Sequence, residues 1–101
     1  AEAPAPAPVA APAEDRRADA QRQKALTERL RPIKKELAQV EQRMAALAQE
    51  RERLEAELLA APEPAKLAEL GKRLKVVEAE NGTVEARWLE LSEAIEQAQQ
   101  A

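Results

Sequence analysis

Eight basic side chains crowd into residues 16–35: Arg16, Arg17, Arg22, Lys24, Arg29, Arg31, Lys34 and Lys35. Only Asp19 and Glu28 oppose them, so this stretch carries a net +6 within a chain whose formal charge is −3. Arg and Lys at such density on a helix can neutralise phosphates without reading base sequence, which gives salt-sensitive binding of nucleic acid. The competing reading is a solvated charged face whose cations balance nearby acids. Residues 60–101 have the opposite balance, with five basic and eight acidic residues. A smaller basic group, Lys72, Arg73 and Lys75 with Arg51 and Arg53, is expected near a hairpin tip.

Other chemistry is poorly supplied. The chain has no His and no Cys, and its only hydroxyl side chains are Thr27, Thr83 and Ser92. A zinc site of the usual kind, a thiol nucleophile and a Ser-His-Asp triad therefore lack their components. The only glycines, Gly71 and Gly82, make no phosphate-cradling loop. The expectation is a noncatalytic domain with no metal and no cofactor of its own. Trp88 is the only aromatic. A lone aromatic makes a poor base-stacking platform, so it is read as core.

The elements that carry the basic residues follow from apolar spacing. Of the 45 hydrophobic residues, 24 are alanine, and only 21 of the 101 positions are large and apolar. That is too little for a compact globule. Leu26, Leu30, Ile33, Leu37, Val40, Met44, Leu47, Arg51, Leu54 and Leu58 alternate in steps of four and three. Leu67, Leu70, Leu74, Val77, Asn81, Val84, Trp88, Leu91, Ile95 and Ala98 do the same. Sustained 3.5-residue spacing predicts coiled coil, and the short Pro62/Pro64 connection makes the two helices antiparallel. The fold class expected is all-α, a two-stranded antiparallel coiled-coil hairpin.

Boundaries follow from the prolines. Residues 1–14 read as a disordered Ala/Pro linker, since Pro4, Pro6, Pro8 and Pro12 disfavour helix. The domain then spans 15–101: a helix over about 16–30, a break near 31–32 caused by Pro32, a helix over about 32–60, a turn over about 60–63 and a helix over about 63–99. Asn81-Gly82 resembles a turn dipeptide, but the seam stays in phase from Val77 to Val84, which predicts continuous helix. Charge predicts register. Placing Leu54 opposite Leu67 and Leu30 opposite Leu91 creates the flanking pairs Glu50–Arg73, Arg43–Glu80, Glu36–Arg87 and Lys34–Glu85. A slide by one heptad would set Arg43 against Arg87.

No run of about 18 apolar residues exists, and the N-terminus does not have the pattern of a signal peptide. With no cysteine, a cytoplasmic setting is expected. The absence of an initiator Met at Ala1 suggests a piece excised from a longer protein. A monomer is expected.

The order of features resembles a known family. A Pro/Ala-rich linker leads to Asp15-Arg16-Arg17, then to the Pro-containing RLRPIKKELAQVEQRMAAL, a heptad run, a short turn and a closing segment with RWLELSEAIE. Over about residues 14–98 this looks like the C-terminal domain of bacterial ABC-F proteins of the Uup and YheS type, soluble ATP-binding cassette proteins. The resemblance implies two ATPase cassettes upstream, which would hold ATP and Mg, and action at the ribosome. It also implies a coiled coil that binds nucleic acid, duplex DNA or ribosomal RNA, through Arg16–Lys35, with the parent's own cassettes as a second partner. The leading segment RRADAQRQKALTERL departs from the aromatic, basic Uup pattern toward the YheS type. The alternative is a structural or protein-interaction hairpin without nucleic-acid binding.

Overall fold

A computed structural model describes residues 12–60 and 62–100 of the chain. Two α-helices make up nearly all of it: α1, Ala13–Leu59, and α2, Pro64–Gln100. They pack side by side as an antiparallel hairpin. At 1.5 Å per residue, the 47 residues of α1 span about 70 Å and the 37 of α2 about 55 Å. The Ala/Pro segment expected to be disordered falls almost wholly on residues 1–11, outside the described residues.

The start of α1 corrects the expected boundary. Ala13 and Glu14 belong to the helix, not to the linker. The Pro12 carbonyl accepts the first helical bond from the Arg16 amide at 3.0 Å. Glu14 and Asp15 in the first turn then face the positive end of the helix dipole. At the other end, the Ala60 amide bonds the carbonyls of Ala56 and Glu57, and Pro64 takes the first position of α2, where its missing N–H costs nothing.

The seams are buried largely as the spacing predicts. Leu30, Leu47, Leu54, Leu70, Val77 and Leu91 form the core, with Leu47 and Leu70 each only 1% exposed. Leu47, Leu54, Leu70 and Val77 make one cluster, backed by Leu58, Leu74 and Val84. One seam position is less covered than the spacing predicts: Leu67 is 38% exposed, while Leu70 and Leu54 belong to the central cluster. Leu67 lies in the first turn of α2, where α1 is itself ending and little chain remains to cover it.

The break at Pro32 does not occur: α1 runs as continuous α-helix through it, so the first arm is one helix and not two. A proline inside a helix forfeits one hydrogen bond and crowds the carbonyl four residues back, at a cost of about 3 kcal/mol. Two features offset that. Pro32 is exposed on the face turned away from α2, so the freed Glu28 carbonyl can be hydrated. The seam also stays in phase across it, and a break would unseat buried Leu30 from the same core face as Ile33 and Leu37.

Asn81 and Gly82 lie inside α2, as the seam phase predicts. The polar side chains there serve the helix rather than a turn. Asn81 donates to Glu85 at 3.1 Å, and the Thr83 hydroxyl donates to the Ala79 carbonyl at 3.3 Å. Trp88 is half-buried on the seam, with part of its surface lining a groove beside Met44, Glu85 and Leu89.

Two stability measurements check this packing. Pro32→Ala restores the missing hydrogen bond without touching the core. It should raise the thermal unfolding midpoint, with a gain of about 1–3 kcal/mol. Leu47→Ala opens a cavity in the central cluster and should cost about 2–5 kcal/mol in a denaturant titration followed by circular dichroism.

Candidate nucleic-acid interface

The basic segment straddles the end of the hairpin, with Arg16 and Arg17 beyond α2 and the other six cations alongside it. Continuing the heptad backward from Leu26 puts Gln23, Asp19 and Arg16 on the seam, all polar, so nothing there can pull α2 alongside. Ala98, near the end of α2, shares a hollow with Arg22, Leu26 and Arg29. Residues 13–21 therefore project past α2 as a single solvated helix, exposed everywhere except at Ala18.

The eight predicted side chains are all exposed, but they do not share one face. Arg17, Lys24, Arg31 and Lys35, at seven-, seven- and four-residue spacing, line the back of α1, away from α2. Arg22 and Arg29 lie on one flank of the seam, and Lys34 lies on the other. Arg16 occupies a seam position on the projecting segment. Two of the eight have local partners: Arg22 pairs with Asp19, and Arg31 bonds Glu28 at 3.1 Å. These are exposed pairs one turn apart, worth only tenths of a kcal/mol and easily exchanged. Among the described residues, Arg16, Arg17, Lys24, Arg29, Lys34 and Lys35 form no ion pair, and none of the eight bridges to α2.

The bridges between the helices lie further along. Arg87 reaches Glu36 with two hydrogen bonds, from Nε at 2.6 Å and from Nη2 at 2.8 Å, and its Nη1 meets Glu90 at 3.0 Å. Arg43 pairs with Glu80. Both interarm pairs are ones the charge pattern predicts, and neither is compatible with setting Arg43 against Arg87. The expected Glu50–Arg73 pair is replaced by Arg73–Glu69 within α2, at 3.2 Å. Glu85, expected to meet Lys34, accepts from Asn81 instead. Exposed local partners one turn away compete on equal terms with partners across the seam.

These contacts shift proton affinities. The hydrogen bond from Arg87 holds the Glu36 carboxyl below the usual carboxylate range, against a smaller opposing effect of desolvation. Arg43 does the same for Glu80. Arg87 and Arg43 are in turn raised, chiefly by their hydrogen bonds to Glu36 and Glu80. Among the described residues, no three His, Cys, Asp or Glu side chains converge as a metal site would require. No helix there is long and apolar enough to cross a membrane.

The family model for the ABC transporter C-terminal domain matches residues 31–93, more than half of the chain. The chain belongs to this family. No curated protein and no solved structure matches it. The match runs along the paired part of the hairpin, from just before Ile33 to just after Leu91. Within this C-terminal domain it takes in Arg31, Lys34 and Lys35, while Arg16, Arg17, Arg22, Lys24 and Arg29 precede it. Membership makes the chain an accessory domain of C-terminal type, not an ATPase cassette.

The lowered carboxyl pKa values carry a pH consequence. Glu36 and Glu80 have folded-state values below their unfolded value of about 4.3, so their stabilisation is complete above that pH. It is lost as pH falls through the lowered folded values. The thermal midpoint of the parent chain should therefore drop more between about pH 5 and about pH 2 than that of a Glu36→Gln/Glu80→Gln variant. Parallel pH–midpoint curves would show that these pairs do not stabilise the fold.

Proposed function

We propose that this C-terminal domain is the noncatalytic nucleic-acid-binding part of an ABC-F ATPase, contacting phosphates through the leading half of α1. The observation that carries this reading is the exposed, cation-rich stretch of α1 over residues 16–35. Its eight basic side chains are all exposed, it carries a net +6, and none of the eight pairs with an acid of α2 among the described residues. An intramolecular counter-charge would have been the simplest explanation for so many cations, and α2 does not supply one.

The back stripe Arg17, Lys24, Arg31 and Lys35 extends over eighteen residue steps, about 27 Å of helix at 1.5 Å per residue. Phosphates along one strand are separated by a few ångströms, so a stripe of this length can meet several across a groove or along a strand. The side chains are flexible and the contacts are to backbone, so the binding is nonspecific in sequence. The partner is duplex DNA or ribosomal RNA, and the parent's cassettes would hold the ATP and Mg.

Fluorescence anisotropy of a labelled DNA duplex and of a structured RNA, titrated across salt concentrations, tests the proposal. Binding should weaken steeply with salt, by about 0.9 log unit in affinity per log unit of salt for each duplex phosphate neutralised. Replacing Arg22, Arg29, Arg31 and Lys35 by Ala should abolish it while leaving helicity intact. Binding that survives those changes, or that ignores salt, places the contact elsewhere or removes it.

A further inference from the structure

The two flanks of the hairpin seam differ. The flank carrying Glu36 and Arg43 is crossed by ion pairs to Arg87 and Glu80. On the opposite flank, no ion pair crosses between the helices among the described residues. There, Arg51 turns along its own helix to Glu55 at 2.9 Å, and Asn81 turns along its own to Glu85. Between them lies a groove of about 420 Å³ with Met44, Leu47 and Val77 as its apolar floor. Met44 also lines a neighbouring hollow with Trp88 and Leu89, and Leu89 is 53% exposed. The only aromatic and one of the most exposed leucines thus sit on the side of the seam that the hairpin leaves uncrossed.

We propose that this groove docks a helix of a protein partner, apolar along one stripe and flanked by Lys or Arg. The shape and the charge argue for that occupant together. A long shallow trough between two helices accepts a third helix whose side chains interdigitate with the seam. The rim is Glu52, Glu55, Glu78 and Glu85, with Arg51 as the single cation lining it, which selects a basic helix and repels the phosphates of a nucleic acid. The surface along α2 suits close approach as well. Gly71 and Gly82, eleven residues apart and so within about 20° of each other on the helix, share a stripe with Leu89. A Cβ at either glycine would meet nothing within 4 Å, so the hairpin's own packing does not require them, although each costs about 1 kcal/mol relative to Ala in a helix. This face is separate from the basic stripe on the back of α1, and the inference stands whether or not that stripe binds nucleic acid.

Trp88, in the hollow that shares Met44 and Glu85 with the groove, reports on a helix laid along it. The full chain is titrated with a synthetic helical peptide bearing a Leu/Ile heptad stripe flanked by Lys, and with a twin in which Glu replaces those Lys residues. The Lys-flanked peptide should shift Trp88 emission to the blue and shield it from acrylamide in a saturable way, while the Glu twin and a duplex RNA should not. Ala48→Arg, which fills the trough from an exposed helical position, and Glu52→Lys/Glu78→Lys should each weaken binding at least about tenfold. Gln39→Arg on the opposite flank should change it by less than about twofold, with circular dichroism confirming that every variant keeps its helicity. Equal responses to the two peptides, no response to either, or groove variants that bind like the parent would overturn the proposal.

Discussion

Everything in this molecule depends on one burial event, the closure of two apolar seams against each other. Neither helix can bury its seam alone, and neither has a second layer to lean on. The core is six side chains, Leu30, Leu47, Leu54, Leu70, Val77 and Leu91, with half-buried neighbours between them. Removing these from water is the main favourable contribution available to a chain so rich in alanine and charge. The continuity of α1 through Pro32 follows from that dependence. Local geometry favours a break there, but a break would rotate the seam on one side out of phase with the other. The helix therefore keeps its phase and leaves the proline and the unpaired carbonyl facing water.

The seam also sorts the polar residues into surfaces with different work to do. Where it is flanked by Glu36, Arg43, Glu80 and Arg87, the charges bridge the helices and fix their register. Where the flanking residues are Ala48, Glu52, Glu78 and Glu85, no such bridge forms among the described residues and the apolar floor stays accessible. Where the seam runs out before Leu26, α1 continues as a solvated helix of mixed charge, and most of its cations lie further along, on the back and flanks of the paired part. A coiled coil with a single pair of helices has little interior in which to build a site. Its functions must therefore lie on its flanks, its back and its projecting end.

Much of this was legible in the residue order. The two heptad runs, the proline-marked turn, the continuous helix through Asn81-Gly82 and the interarm pairs Arg43–Glu80 and Glu36–Arg87 all follow from spacing and charge sign. The exposure of the basic residues follows from their off-seam positions and, for Arg16, from the seam's ending before it. Less legible were outcomes where two local options have similar energy. Arg73 and Glu85 each found a partner on their own helix, because an exposed neighbour one turn away competes with one across the seam. Leu67 lost its expected cover because the end of a hairpin has too little facing chain, which a periodic pattern does not record.

The sequence by itself determined the seam, the antiparallel pairing and the cationic segment, because each depends on the period and sign of side chains along one chain. Only the tertiary structure decided that α1 passes unbroken through Pro32, and which flank of the seam is bridged by ion pairs and which is left open. The physical reason is the same in both cases. These outcomes weigh a local cost, a lost hydrogen bond or an exchanged ion pair, against packing between residues distant in sequence. That packing exists only once α1 and α2 lie side by side.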